Sequence, residues 1–167
     1  LTLIPRNIRN GEYQMWLPVS SGNNQETRFL EPDKEFTLTI PSTAENVISA
    51  GAYDVRYQSY ADFSGRGDQR YGVKKPDLVA PGVGILAAAP GGGENSLSGT
   101  SMATPFVTGS AALLMEWGII RKNDPYLYGE RIKAYFHKGA RKMNGFLDYP
   151  NNEIGYGKLC VAASLYK

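Results

Sequence analysis

Apolar residues in this chain change their period along its length, and the changes divide it. Residues 46–52 and 78–88 are apolar with little alternation, as in strands of a parallel sheet covered on both faces. They predict strands near 46–54, 77–80 and 84–88, with a short one near 95–98. The run Phe106-Val107-Thr108-Gly109-Ser110-Ala111-Ala112-Leu113-Leu114-Met115 is apolar or small nearly all round. It predicts a buried helix over 101–118, stopped at Trp117-Gly118 by glycine. From Tyr128 to His137, Ile132, Tyr135 and Phe136 alternate with Glu130, Arg131 and Lys133. That spacing predicts a half-buried helix over 129–138, after a turn or helix start at Asn123-Asp124-Pro125. A last helix is expected over 160–166.

The first forty residues follow another pattern. Tyr13–Pro18, Thr27–Leu30 and Glu35–Ile40 read as short strands, the last alternating polar and apolar side chains. Ser20-Ser21-Gly22-Asn23-Asn24 reads as a polar turn between two of them. The chain therefore divides into a short β-rich segment, 1–40, and an α/β core, 41–167. Gly91-Gly92-Gly93 is expected to form a mobile loop.

Composition narrows the function classes. The 167 residues are 42% hydrophobic with 19 glycines, which suits a globular α/β protein with many tight turns. The 18 basic and 16 acidic side chains nearly balance and no basic stripe appears, so nucleic acid is not an expected partner. No apolar run is read as a membrane span, so no membrane partner is expected. The N-terminal Leu-Thr-Leu-Ile-Pro-Arg has no signal-peptide character. The single cysteine, Cys160, excludes an intrachain disulfide; within Leu159-Cys160-Val161-Ala162-Ala163 it reads as a small buried apolar residue.

Candidate chemistry centres on Gly99-Thr100-Ser101-Met102-Ala103-Thr104-Pro105. A serine before an apolar run is ordinarily a helix N-cap. Here Gly99, Thr100 and Ala103 around it are small, so a substrate backbone can approach. The start of a buried helix also offers free N–H groups and a positive dipole end, which stabilise an oxyanion. Pro105 is expected in the first turn, where its missing N–H costs little. The only histidine, His137, lies downstream of Ser101 and reads as a partly exposed residue at a helix end. Arg66-Gly67-Asp68 matches an adhesion tripeptide too short to carry weight. Asp54, Asp62, Asp68 and Asp77 are not spaced as a calcium loop.

The heptad 99–105 resembles the nucleophile motif of the subtilisin-like serine peptidases, the subtilases. Lys75-Pro76-Asp77-Leu78-Val79-Ala80-Pro81-Gly82 and Ile85-Leu86-Ala87-Ala88-Ala89 resemble the family's strands around it. Residues 41–54 are similar to its V-I-x-V-G-A strand, 61–67 to its x-F-S-x-x-G loop, and 154–159 to the G-x-G turn before the closing helix. These matches stand in the family's order over about residues 41–167. The resemblance implies the C-terminal part of a subtilisin-like parallel-sheet three-layer fold. Residues 1–40 resemble the trailing part of a β-rich insertion in subtilases of clostridia and related anaerobes.

In that family the triad runs Asp, His, Ser along the chain. The resemblance thus implies a serine endopeptidase portion with Ser101 as nucleophile and Thr100 supporting the oxyanion. The triad Asp and His, and the second oxyanion donor, are expected outside this chain. The alternative is a non-catalytic subtilase-like module that works by binding. The chain alone is expected to be inactive and to need the N-terminal remainder of the protease, or a self-oligomer, to cover its exposed surface. Peptide or protein substrates follow, with no cofactor and a family-type calcium site that no residue locates. The family also suggests an extracellular or spore- or cell-surface location.

Overall fold

A computed structural model describes residues 4, 6–17 and 26–165. The expected turn at 20–24, together with Pro18 and the last two residues, lies outside the described residues. The chain separates into two units, Leu1–Asp33 and Lys34–Lys167. In the first, residues 13–17 and 27–30 form no strand, and Leu30 is almost fully exposed. The expected strand at 35–40, in the second unit, is absent too. Alternation promises a strand only where a partner strand lies alongside. Here Phe36 and Thr37 donate instead to the carbonyls of Gly67 and Arg66 in a loop, and Ile40 points into solvent.

The second unit is built on β1 (Ala50–Asp54) and β3 (Leu78–Pro81), paired in parallel with Ala50 opposite Leu78 and Tyr53 opposite Pro81. β2 (Ser59–Tyr60) adds antiparallel on the other side of β1. Both faces of this small sheet are covered, which explains the unbroken apolar run. Leu78, Ala80 and Ala52 join a cluster with Ala103, Val107, Leu114, Leu127, Ile132 and Phe136. On the opposite face Val79 and Tyr53 pack with Met143 and Ile154.

The first cluster draws on α1 (Thr100–Met115) and α2 (Gly129–Gly139); α3 (Val161–Leu165) follows at the end of the chain. These match the expected helices within a few residues. α1 differs from expectation in its environment. Ala103, Val107, Ser110 and Leu114 are buried, while Thr104, Pro105, Phe106, Thr108, Gly109, Ala112 and Leu113 are exposed. The sheet, α2 and α3 cover one side of the helix only. Contrary to the expectation of no membrane-length run, residues 100–120 together are long and apolar enough to cross a membrane by length and composition; in the fold they carry the core helix.

The strand expected near 84–88 is present but not in the parallel sheet. β4 (Ile85–Ala88) pairs antiparallel with β5 (Glu94–Leu97) as a separate hairpin. Its turn uses Gly91, Gly92 and Gly93, all at positive φ of 84°, 100° and 79°, a conformation that glycine adopts without a Cβ penalty.

Candidate active site around Ser101

Backbone packing at the carboxyl ends of β1 and β3 fixes where α1 begins. Gly82 follows β3 directly. Its N–H donates to the Tyr53 carbonyl at 3.1 Å, and its own carbonyl accepts from Gly99 N–H at 2.8 Å. A Cβ at position 82 would lie 2.5 Å from the Ala52 Cβ and 2.9 Å from the Gly99 carbonyl oxygen. Only glycine lets these backbones meet. Ala103, fully buried, then anchors the first turn of α1 against the sheet and leaves Ser101 on the opposite, exposed side.

Gly99, not Ser101, caps the helix, and Ser101 is its second residue. The Gly99 carbonyl accepts from Met102 N–H at 3.0 Å and Ala103 N–H at 3.3 Å. Among the described residues no hydrogen bond at the start of α1 uses the Ser101 N–H, which leaves it a donor at the positive end of the helix dipole. Thr100 is half-buried beside it, its carbonyl accepting from Thr104 Oγ1 at 2.9 Å. Pro105 falls in the second turn rather than the first. There it removes the bond that residue 105 would have donated to the Ser101 carbonyl.

Ser101 sits at one end of an open depression of about 520 Å³ lined also by Thr104, Pro105, Thr108 and Gly109. None of these side chains is a proton acceptor at neutral pH. The depression offers a hydroxyl, an unused N–H and small, apolar walls, but no base.

His137 stands elsewhere. As expected it lies in the last turn of α2 and is partly exposed. Its ring stacks on Tyr156 with centroids 3.8 Å apart, and its Nε2 comes within 3.3 Å of Asp77 Oδ1 without hydrogen-bond alignment. Asp77 immediately precedes β3, whereas Gly82 and Ser101 lie beyond its carboxyl end. At about 3.3 Å per residue the strand separates the two by on the order of 15 Å, so the imidazole does not face Ser101.

The Asp77 cluster was not legible in the sequence. Oδ2 accepts from Ser49 N–H at 2.7 Å and from Lys75 Nζ at 3.2 Å, and Oδ1 lies 3.1 Å from Lys133 Nζ. Burial alone would raise the Asp77 pKa. His137, the Ser49 N–H and the two lysines outweigh it and hold the carboxyl at about 2. One carboxylate thereby ties the start of β3 to α2 and to the segment before β1. Its members come from three separate stretches of chain, so no local spacing announces it.

Other sequence candidates resolve plainly. Asp68 is fully buried and pairs with Arg70, while Arg66 bonds Glu153, so the tripeptide 66–68 is not displayed. Cys160 is half-exposed rather than buried, because it precedes the short α3 instead of lying inside a packed helix. The Ala163 N–H and Arg141 hold its thiol below the usual value despite partial desolvation. Among the described residues no three His, Cys, Asp or Glu side chains gather as a metal site would require.

Comparison with known proteins places this geometry. Residues 6–157 match the subtilase family, Peptidase S8. The serine protease AprX of Bacillus subtilis is 33% identical over 144 residues, covering 74% of this chain and 30% of AprX. The structure of the Clostridium perfringens CspB protease superposes with a TM-score of 0.80 at 50% identity, covering 86% of this chain and 31% of that one. The prenylagaramide maturation protease PagA superposes with a TM-score of 0.65 at 34% identity, over 80% of this chain and 46% of that one. The chain thus spans less than half the length of each of these relatives.

Proposed function

The chain belongs to the subtilase family, and from that premise we propose that it contributes the nucleophile of a serine endopeptidase whose proton acceptor lies outside these 167 residues. The observation that carries this reading is the setting of Ser101. Its side chain is exposed at the mouth of a small-walled depression, beside an N–H that no other described group uses.

In the assembled enzyme the Ser101 Oγ attacks the carbonyl carbon of a peptide bond while a histidine takes its proton, oriented by an aspartate. The Ser101 N–H donates to the oxyanion that forms, and Thr100 supports that donor from the same turn. One such donor is worth about 10²–10³ in turnover. Among the described residues that line the depression the hydroxyl has no base, and an unassisted serine is a weak nucleophile. The 167 residues alone are therefore inactive, and the remainder of the protease or a second copy covers the bare side of α1. Exposure of Phe106 and Leu113 supports that second point, since a helix of this composition is normally packed all round.

The absence of any titratable side chain in the depression equally favours a second reading, a subtilase-like module that binds without cutting. Hydrolysis of a chromogenic peptide separates the two. The natural-length protein is expected to cleave it, its Ser101→Ala variant to be inert, and the isolated chain to match that variant. A natural-length protein as inactive as Ser101→Ala would leave the binding module standing.

A further inference from the structure

We propose that Asn144 is a site of spontaneous covalent modification, converted to aspartate and isoaspartate after attack by the backbone nitrogen of Gly145. The site lies apart from the residues that the reading of Ser101 uses and does not depend on it.

The chemistry is intramolecular. The Gly145 nitrogen gives up its proton and attacks the Asn144 Cγ. The bond from Cγ to Nδ2 breaks, and ammonia leaves with that proton. The five-membered succinimide then takes up one water. Opening at one carbonyl gives aspartate. Opening at the other gives isoaspartate, whose main chain runs through Cβ and is longer by one carbon.

Attack needs a following residue without a Cβ to block the approach, a carboxamide able to swing onto the backbone, and a backbone nitrogen that no other group holds. The sequence has two Asn-Gly pairs, Asn10-Gly11 and Asn144-Gly145. At the second, Phe146 N–H donates to the Met143 carbonyl at 3.4 Å and Gly145 has φ 88°, the positive value that the third position of a type II turn requires. Asn144 and Gly145 are both exposed, and a Cβ on Gly145 would meet nothing within 4 Å. Among the described residues no hydrogen bond uses the Asn144 carboxamide or the Gly145 N–H. Asn10 differs. Its Oδ1 accepts from Glu12 N–H at 2.8 Å and its Nδ2 donates to Glu12 Oε2 at 3.4 Å, so its carboxamide must first be released.

The modification matters because of what the turn holds. Met143 is buried with Val79 and Ile154. The Tyr149 hydroxyl accepts from Met143 N–H at 2.8 Å and donates to the Met143 carbonyl at 3.0 Å. An extra main-chain carbon one residue further on pulls that carbonyl away from Tyr149 or from Phe146. Isoaspartate therefore loosens the face of the sheet that carries Val79. Aspartate keeps the main chain unaltered and lowers the formal net charge of +2 by one.

The test ages the natural-length protein carrying Ser101→Ala, so that self-cleavage contributes no peptides, in mildly alkaline buffer. Its peptides are then mapped by mass and by enzymatic methylation of isoaspartate. Both products are expected to accumulate at position 144 about fivefold faster than at position 10, the rate equivalent of one net hydrogen bond. None is expected in Asn144→Gln, whose attack would have to close a larger ring. Hydrogen exchange at the Met143 amide is expected to quicken in the aged protein and to stay unchanged in Asn144→Asp. Asn144 left intact in the folded protein while the urea-unfolded chain converts, or conversion at Asn10 as fast as at Asn144, overturns the proposal. Unchanged exchange at Met143 in the aged, isoaspartate-bearing protein overturns its structural consequence.

Discussion

Replacing Asp77 by asparagine removes the one carboxylate that Lys75, Lys133, His137 and the Ser49 N–H share. Two magnitudes bound the effect. The carboxyl pKa falls from 3.8 to about 2 on folding, and at about 1.4 kcal/mol per tenfold change in proton affinity this corresponds to about 2 kcal/mol of stability. Breaking a buried ion pair by removing one partner costs about 3–5 kcal/mol where the other charge is left alone. Here each lysine keeps a second acceptor, Lys75 the Val47 carbonyl at 3.0 Å and Lys133 the Glu45 carbonyl at 2.6 Å. The lower part of the range applies, and urea unfolding at pH 7, followed by tryptophan fluorescence, should show Asp77→Asn less stable by roughly 2–3 kcal/mol. The pH dependence carries a sign. A carboxyl whose pKa is depressed by folding stabilises the protein above its unfolded value, and that stability is lost as pH falls through the folded value. The gap between wild type and Asp77→Asn should therefore be constant above pH 5 and shrink between pH 4 and 2. A gap below 0.5 kcal/mol at pH 7, or one unchanged at pH 2, refutes the assignment of Asp77 as the tie between β3 and α2.

Other consequences follow from the same geometry. Gly82→Ala places a methyl 2.5 Å from the Ala52 Cβ, and since neither methyl can swing aside it should destabilise by about 1–3 kcal/mol and lower the melting temperature in calorimetry. Leu113→Lys should reduce self-association of the isolated chain in light scattering, because Leu113 is exposed there; in the natural-length protease the same change should destabilise, since it leaves a charge buried against the covering partner. Peroxide should slow peptide hydrolysis by converting Met102, half-buried next to Ser101, to the polar sulfoxide, and Met102→Ala should resist it.

The parts of the fold that were legible share one property: their environment matches their local pattern. β1 and β3 lie between two apolar clusters, so an unbroken apolar run was the right sign for them. α2 buries Ile132 and Phe136 and exposes Glu130, Arg131 and Lys138, as a helical period requires. The misreadings arose where pattern and environment part. The apolar run 85–88 looks like a core strand, yet it forms an exposed hairpin because three successive glycines turn the chain back on itself. Residues 35–40 alternate like a strand but meet a loop rather than a partner strand. The uniform apolarity of α1 reads as burial all round, yet the described residues cover only the side that carries Ala103, Val107, Ser110 and Leu114. The placement of Thr100 and Ser101 at the start of a helix was legible because their neighbours are contiguous in sequence. Asp77, Lys75, Lys133 and His137 were not, since their meeting depends on the packing of α2 against β3.

The most direct measurement is labelling of the natural-length protein with a fluorophosphonate, with the adduct mapped by peptide mass. The account expects a single adduct on the peptide holding Ser101, none in Ser101→Ala, undiminished labelling in His137→Gln, and little or none in the isolated 167 residues. An adduct on a different serine, or loss of labelling on replacing His137, would contradict it.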